Sequence, residues 1–295
     1  MTNIIRFAEL ISFDDKPDDA MQEKAVNSLE AGDVLFFPRL GFELLENEKS
    51  FLTEASLDGS RKNIGYDTRI KRLHGDAYQG EAHVYLEKMI QRYVTCVEKL
   101  MEHLFPSYQG KLKTERATYR PAKVEGRKVP SYRKDDSRLH VDAFPSSPMQ
   151  TNRSLRVFTN IHPEGKPRVW RVGESFEAVA KRFQPQLKKP LPGFNRMLKL
   201  CKITKRLRSD YDSLMLQLHD GMKADIEYQK KVSQQTVEFP SGSTWMVFSD
   251  QVSHAAMAGQ FMLEQTFELP VSAMKHPEQS PLKVLEKLFQ PKIIS

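Results

Sequence analysis

Apolar residues recur at intervals of three and four along residues 83–105: Leu86, Met89, Ile90, Tyr93, Val94, Val97, Leu100, Met101 and Leu104. That period puts them on one stripe of an α-helix, which Pro106 ends and which should back a sheet. Residues 19–30 carry a shorter helical pattern. Val34 to Phe37 form an unbroken apolar run stopped by Pro38, as a buried strand would be. From about residue 112 the pattern changes. RATYRPAK, RLHVDAF, SLRVFTNI, RVWRV, QTVEFP, STWMVFSD and FMLEQTFELPVS are all of strand length, and Pro, Gly and Ser separate them. A mostly helical block at about 174–235 interrupts this series, with a Pro-rich break at KKPLPGF.

Strands that resume after a helical block and still complete a sheet predict an insertion, not a separate domain. The expected class is α+β, with one domain over 1–295. It comprises a helical and strand lead over 1–110, a double-stranded β-helix (jelly roll) core over about 112–272 carrying the insertion at 174–235, and an amphipathic tail over 277–295. A hydrophobic content of 39% with 17 Phe supplies a sizeable core and excludes a disordered chain. No apolar run approaches the roughly 18 residues of a membrane span. Arg6 and Glu9 interrupt the apolar start, which makes it a poor secretory signal. Cys96 and Cys201 stand alone, excluding a disulfide framework and a zinc knuckle and fitting a reducing cytoplasm. The net charge of +7 favours an anionic partner without choosing among nucleic acid, membrane and substrate.

The chemistry sits in RLHVDAF. On a strand, His140 and Asp142 project from the same face, side by side. A His from another strand completes two imidazoles and one carboxylate, a set that leaves adjacent positions open on Fe(II) for an oxo-acid and O₂. His254, in SDQVSHAAMAGQ, is the best third ligand, because the small residues after it leave room for a cofactor. An isolated His-x-Asp is a weak signal; its company on neighbouring strands strengthens it. His83, His103 and His219 fall in helical segments, and His162, in a turn, is the reserve ligand.

2-Oxoglutarate chelates iron at its keto-acid end and needs a buried cation for its far carboxylate. The strand after His254 reads FMLEQTFELP and offers no Arg or Lys. Arg156, embedded in NRSLRVFTNI, is the best replacement, with Arg120, Arg133 and Arg153 as alternatives, Asn160 on the same strand face and Thr266 or Gln265 adding a hydrogen bond.

The long blocks SYRKDDSRLHVDAFPSSPMQTNRSLRVFTNIHPEGKPRVWRVGESF, LHDGMKAD and FPSGSTWMVFSDQVSHAAMAGQFMLEQTFELP resemble the Kdo hydroxylases of Gram-negative bacteria, and GDVLFFP fits as well. Kdo is 3-deoxy-D-manno-oct-2-ulosonic acid. The resemblance implies a jelly-roll dioxygenase using Fe(II), 2-oxoglutarate and O₂, with His140, Asp142 and His254 as iron ligands. It implies hydroxylation at C3 of a Kdo on lipid A precursors, giving Ko. For that anionic glycolipid, the basic stretch containing Arg120, Arg133, Lys134 and Arg138 is the expected binding surface, with Trp170, Trp245, Phe144 and Phe158 as aromatic walls. Arg196, Lys199, Lys202, Lys205 and Arg208 recur every three residues and predict a cationic helix face suited to peripheral contact with the inner membrane. Three other readings stay open: a 2-oxoglutarate dioxygenase for another small anionic or lipid substrate, a cupin-like structural or sugar-binding jelly roll without catalysis, and a basic nucleic-acid-binding protein. Against the last, no recognition signature is present.

Overall fold

The structure is a computed structural model that describes residues 1–191 and 194–289. The chain opens with β1 (Ile4–Arg6), α1 (Asp19–Glu30), β2 (Val34–Phe37), β3 (Ile64–Asp67), β4 (Arg72–His74) and α2 (Gly80–Leu104). The strand-rich part comprises β5 (Lys113–Arg120), β6 (Asn152–Asn160) and β7 (Arg168–Val172). Next come α3 (Phe176–Phe183), α4 (Phe194–Leu200), α5 (Asp210–Ala224) and α6 (Ile226–Lys231). The chain then returns to β8 (Gln235–Phe239), β9 (Thr244–Phe248), β10 (His254–Ala258), β11 (Met262–Pro270) and a closing helix, α7 (Pro281–Leu288).

Two sheets face each other. The larger has eight strands in the order β1-β2-β9-β6-β11-β5-β3-β4, and the smaller three, β10-β7-β8. Alternation along each strand decides what each face meets. On β6, Leu155 and Val157 point outward to the α2 stripe of Leu86, Ile90, Tyr93 and Val97. Arg156 and Phe158 point inward between the sheets, where Phe158, Trp170, Phe239 and Trp245 pack together. A third cluster joins α3, α5 and α6 to Leu139 and Val141, so the insertion covers the segment that carries His140.

Three expectations need correction. RLHVDAF is not a strand: a single bridge pairs His140 with His254, and one bond each from the Asp142 N–H to Ser249 O and the Ala256 N–H to Asp136 O flank it. Its other edge meets a side chain. Gln229 accepts from the Leu139 N–H at 2.7 Å and donates to Leu139 O at 2.9 Å, as a neighbouring strand would. The cationic helix over 196–208 is also broken, because α4 ends at Leu200 and the chain then turns irregularly to Ser209. Lys205 donates its N–H to Ser146 O, and Arg208 its side chain to Pro145 O, which straps the segment over the loop after Asp142. Finally, the lead contributes β1, β3 and β4 to the large sheet, strands too short to show a period. The KKPLPGF break and the 277–295 tail each fall partly outside the described residues.

Candidate active site

His140 and Asp142 leave their extended segment on one side, and His254 begins β10 directly opposite. One ligand atom from each lies within 4.8 Å of the other two. Each imidazole is oriented from behind: His140 Nδ1 is 2.7 Å from Arg138 O, and His254 Nδ1 is 2.8 Å from Val252 O. A carbonyl only accepts, so each Nδ1 carries the proton and each Nε2 keeps its lone pair for a metal. Burial, then the neighbouring His254 and Lys223, pushes His140 well below its ordinary value; burial also lowers His254. Burial alone would raise Asp142, but the guanidinium of Arg156, 3.1 Å away, and the two imidazoles hold it well below the carboxylate range. Two neutral imidazoles and one ionised carboxylate at neutral pH are a donor set that fits a divalent iron.

The triad opens on a cavity of about 200 Å³ whose walls include Phe158, Trp170, Ala256 and Met262. Trp170 stacks on the His254 ring, with centroids 5.0 Å apart. Two residues along the same strand face, about 7 Å away, Arg168 enters the cavity with 4% of its surface exposed. Its Nη1 donates to Gly259 O at 3.1 Å, its Nε has no partner, and no carboxylate pairs with it among the described residues. Burial, with Arg120 and Arg127 nearby, pushes it down to about 9. This cation lacks a counter-ion and faces the metal-ligating set across a small cavity.

A jelly roll that buries two imidazoles and a carboxylate beside an anion-seeking cavity defines a non-haem Fe(II)/2-oxoglutarate dioxygenase. Comparison with known proteins narrows the class. The chain belongs to the 3-deoxy-D-manno-oct-2-ulosonic acid (Kdo) hydroxylase family, whose profile matches residues 12–292. Solved structures of the Kdo hydroxylase KdoO, described as a non-heme Fe(II) alphaketoglutarate dependent dioxygenase, are similar over nearly the whole chain. The complex with alphaketoglutarate and Fe(III) is 48% identical, covering 97% of this chain and 95% of that one, with a TM-score of 0.93. The complex with succinate and Fe(III) gives the same values, and the apo form has a TM-score of 0.94 at 49% identity. None of the curated proteins matches the chain.

The other expected site residues divide by strand parity and by partner. Arg156 faces inward but is committed to Asp142 and, at 3.2 Å, to Glu264, which Arg120 also grips. Thr266 faces inward, along a larger second cavity. Gln265 falls on the opposite face, against Ala117 and Val157, and bonds to Glu115 O and Thr266 O, so it is turned away from the site. Asn160 spends its amide on Lys166 O, Phe239 O and the His162 N–H, tying a turn. Trp245 is fully buried core, stacked on Phe239 at 4.2 Å. Arg133 pairs outside the cavities with Asp220, Arg138 with Asp135 and Lys223 O, and Lys134 is exposed. His162 sits in the β6–β7 turn beside Phe261, away from the triad. Arg168 was legible, since it shares its strand parity with Trp170. His219, edge-on to the His140 ring at 5.4 Å, and Lys223, 3.9 Å from Asp136, were not, because only the packing of the insertion brings them there.

Proposed function

We propose that the chain hydroxylates C3 of a Kdo unit on an anionic glycolipid, forming Ko with succinate and CO₂ as co-products, and that His140, Asp142 and His254 hold the iron. The observation that carries this reading is the buried, counter-ion-free Arg168 facing the triad across the 200 Å³ cavity. In this reading Arg168, rather than Arg156, receives the far carboxylate of 2-oxoglutarate, because a guanidinium touching Asp142 sits at the metal end.

Bound Fe(II) and 2-oxoglutarate supply the O₂-activating chemistry that oxidises an unactivated C–H bond. The chain's own residues position and shield. Arg138 O and Val252 O fix the tautomers of the two imidazoles, and Arg156 keeps Asp142 ionised and oriented. Phe158, Trp170 and Met262 exclude water from the co-substrate cavity. Lys62, 2.6 Å from Asp136, and Arg120 stand where this cavity meets the second one, of about 700 Å³, which is large enough for a sugar.

A surface feature favours peripheral contact with an anionic membrane, and with it a cytoplasmic-face location. No helix among the described residues is long and apolar enough to cross a membrane. The irregular segment around α4 instead exposes Leu191 (79%), Leu200 (82%), Met197 and Ile203 among Arg196, Lys199 and Lys202. Each cation near such a surface contributes about 1 kcal/mol, and the exposed apolar side chains add burial.

The test is anaerobic loading with Fe(II), an air-started reaction with 2-oxoglutarate and a Kdo-bearing lipid A precursor, and mass spectrometry of the lipid. One added oxygen on a Kdo unit, lost in His140→Ala and His254→Ala, supports the reading. Succinate formed with the lipid unchanged would leave an oxygenase for another substrate.

A further inference from the structure

The second cavity carries a charge pattern that the iron site does not use. It lies between β3, β4, β5 and the 201–209 strap, and it joins the co-substrate cavity at Lys62, Arg120 and Arg156. Five further cations line it from four separate stretches of chain: Arg61, Arg69, Arg116, Lys205 and Arg206. Two are partly compensated, Arg69 by Asp67 at 3.8 Å and Arg206 by Glu268 at 3.5 Å. Among the described residues, Arg61, Arg116 and Lys205 have no carboxylate within salt-bridge distance.

Their placement is built into the backbone. In the β5–β11 ladder, Ala117 pairs with Gln265 and Thr114 with Phe267, so Glu115 and Arg116 together oppose the single residue Thr266. Such a bulge re-aims a side chain, and here both residues line the cavity. Lys205 is fixed from the other side by its N–H bond to Ser146 O. The local field is felt by His74, which burial first, and then Arg61 and Arg116, lower from the ordinary imidazole value. Asp67, Glu115, Glu264 and Glu268 also line the cavity, but their ion pairs run to Arg69, Lys113, Arg120, Arg156 and Arg206, which leaves the three exposed cations open to a negatively charged ligand.

We infer that Arg61, Arg116 and Lys205 form a second anion subsite that selects an acceptor bearing another negative group beside the Kdo being oxidised, a phosphate monoester or a second sugar-acid carboxylate. The inference rests on the Kdo hydroxylase reading above. The subsite makes the enzyme prefer a polyanionic glycan over an isolated Kdo, and it sets KM for the acceptor without touching the reacting carbon.

The experiment uses the full-length, iron-loaded enzyme at saturating 2-oxoglutarate with three acceptors: a phosphorylated Kdo₂ glycolipid in neutral detergent, its phosphatase-treated form, and the methyl glycoside of Kdo. Wild type is compared with Arg61→Gln, Arg116→Gln, Lys205→Gln and the triple variant. Each exposed charge-assisted contact is worth roughly 3- to 10-fold. The triple variant should therefore lose about 30-fold or more in kcat/KM on the glycolipid, mostly through KM, while keeping wild-type turnover of the methyl glycoside and wild-type thermal response to 2-oxoglutarate. Loss confined to the phosphorylated acceptor identifies a phosphate as occupant; equal loss on the phosphatase-treated form identifies the second carboxylate. An unchanged triple variant, or equal losses on all three acceptors, overturns the subsite. Failure of the wild type to oxidise any of the three overturns the Kdo reading itself.

Discussion

Replacing Arg168 with Met should move stability and co-substrate affinity in opposite directions. The side chain is 4% exposed, and burial lowers the guanidinium far below its ordinary value, to about 9. At 1.36 kcal/mol per pH unit, that drop corresponds to roughly 5 kcal/mol of disfavoured charge, an upper bound because a real site relaxes. Methionine keeps most of the apolar stem and gives up the bond to Gly259 O, about 1 kcal/mol. The protein without co-substrate should gain roughly 1–3 kcal/mol, a rise in Tm of about 2–5 °C. Loss of a charge-assisted contact to a carboxylate, about 1.5–3 kcal/mol, should raise the Kd for 2-oxoglutarate by about 10- to 150-fold. Differential scanning fluorimetry with and without Fe(II) and 2-oxoglutarate measures both quantities in one titration. A fall in Tm together with an unchanged Kd would show that Arg168 serves the fold and that another group anchors the co-substrate.

Three other perturbations probe the supporting structure. His140 and His254 lie below the ordinary 6.5, so below that pH the unfolded chain binds more protons than the native one. Metal-free stability should hold above 6.5 and decline on acidification by up to about 1.4 kcal/mol per pH unit per imidazole; a Tm series from pH 7.5 to 5.5, flattened by His140→Gln, checks it. Gln229→Ala removes the two bonds that stand in for a neighbouring strand at Leu139, and should weaken Fe(II) binding about 10-fold in a metal titration while leaving the ligands in place. Arg153 is fully buried and holds Asp250 with contacts of 2.7 and 3.1 Å, so Arg153→Met strands a buried carboxylate and should lower stability by about 3–5 kcal/mol in denaturant unfolding, with Asp250→Asn restoring part of the loss.

Much of the architecture was legible because it rests on periodicity. The α2 stripe and the β5, β6, β7, β9 and β11 runs all fall where pattern and punctuation place them. The iron-ligand candidates were legible for a different reason: His140 and Asp142 share a side whether or not their segment pairs as a strand, so the mistaken strand assignment did no harm. Long-range partners were hidden. The pairing of Arg156 with Asp142 and Glu264 joins three segments that sequence order keeps apart. Gln265 was misassigned by one step of alternation, which on a strand reverses the face. The cationic helix failed because a three-residue charge spacing says nothing about caps, and after Leu200 the backbone of Lys205 bonds to Ser146 instead of continuing the helix.

The strand order has a consequence for how the protein is made. β5 and β6 follow one another in sequence but do not pair; β11 lies between them, with nine residues registered against β6. Until the ribosome has released residues 262–270, the facing edges of β5 and β6 present unsatisfied backbone groups. A chain stalled before β11 carries an open slot in the middle of its sheet, where another molecule's edge can pair, so truncation or slow translation near this point should promote aggregation.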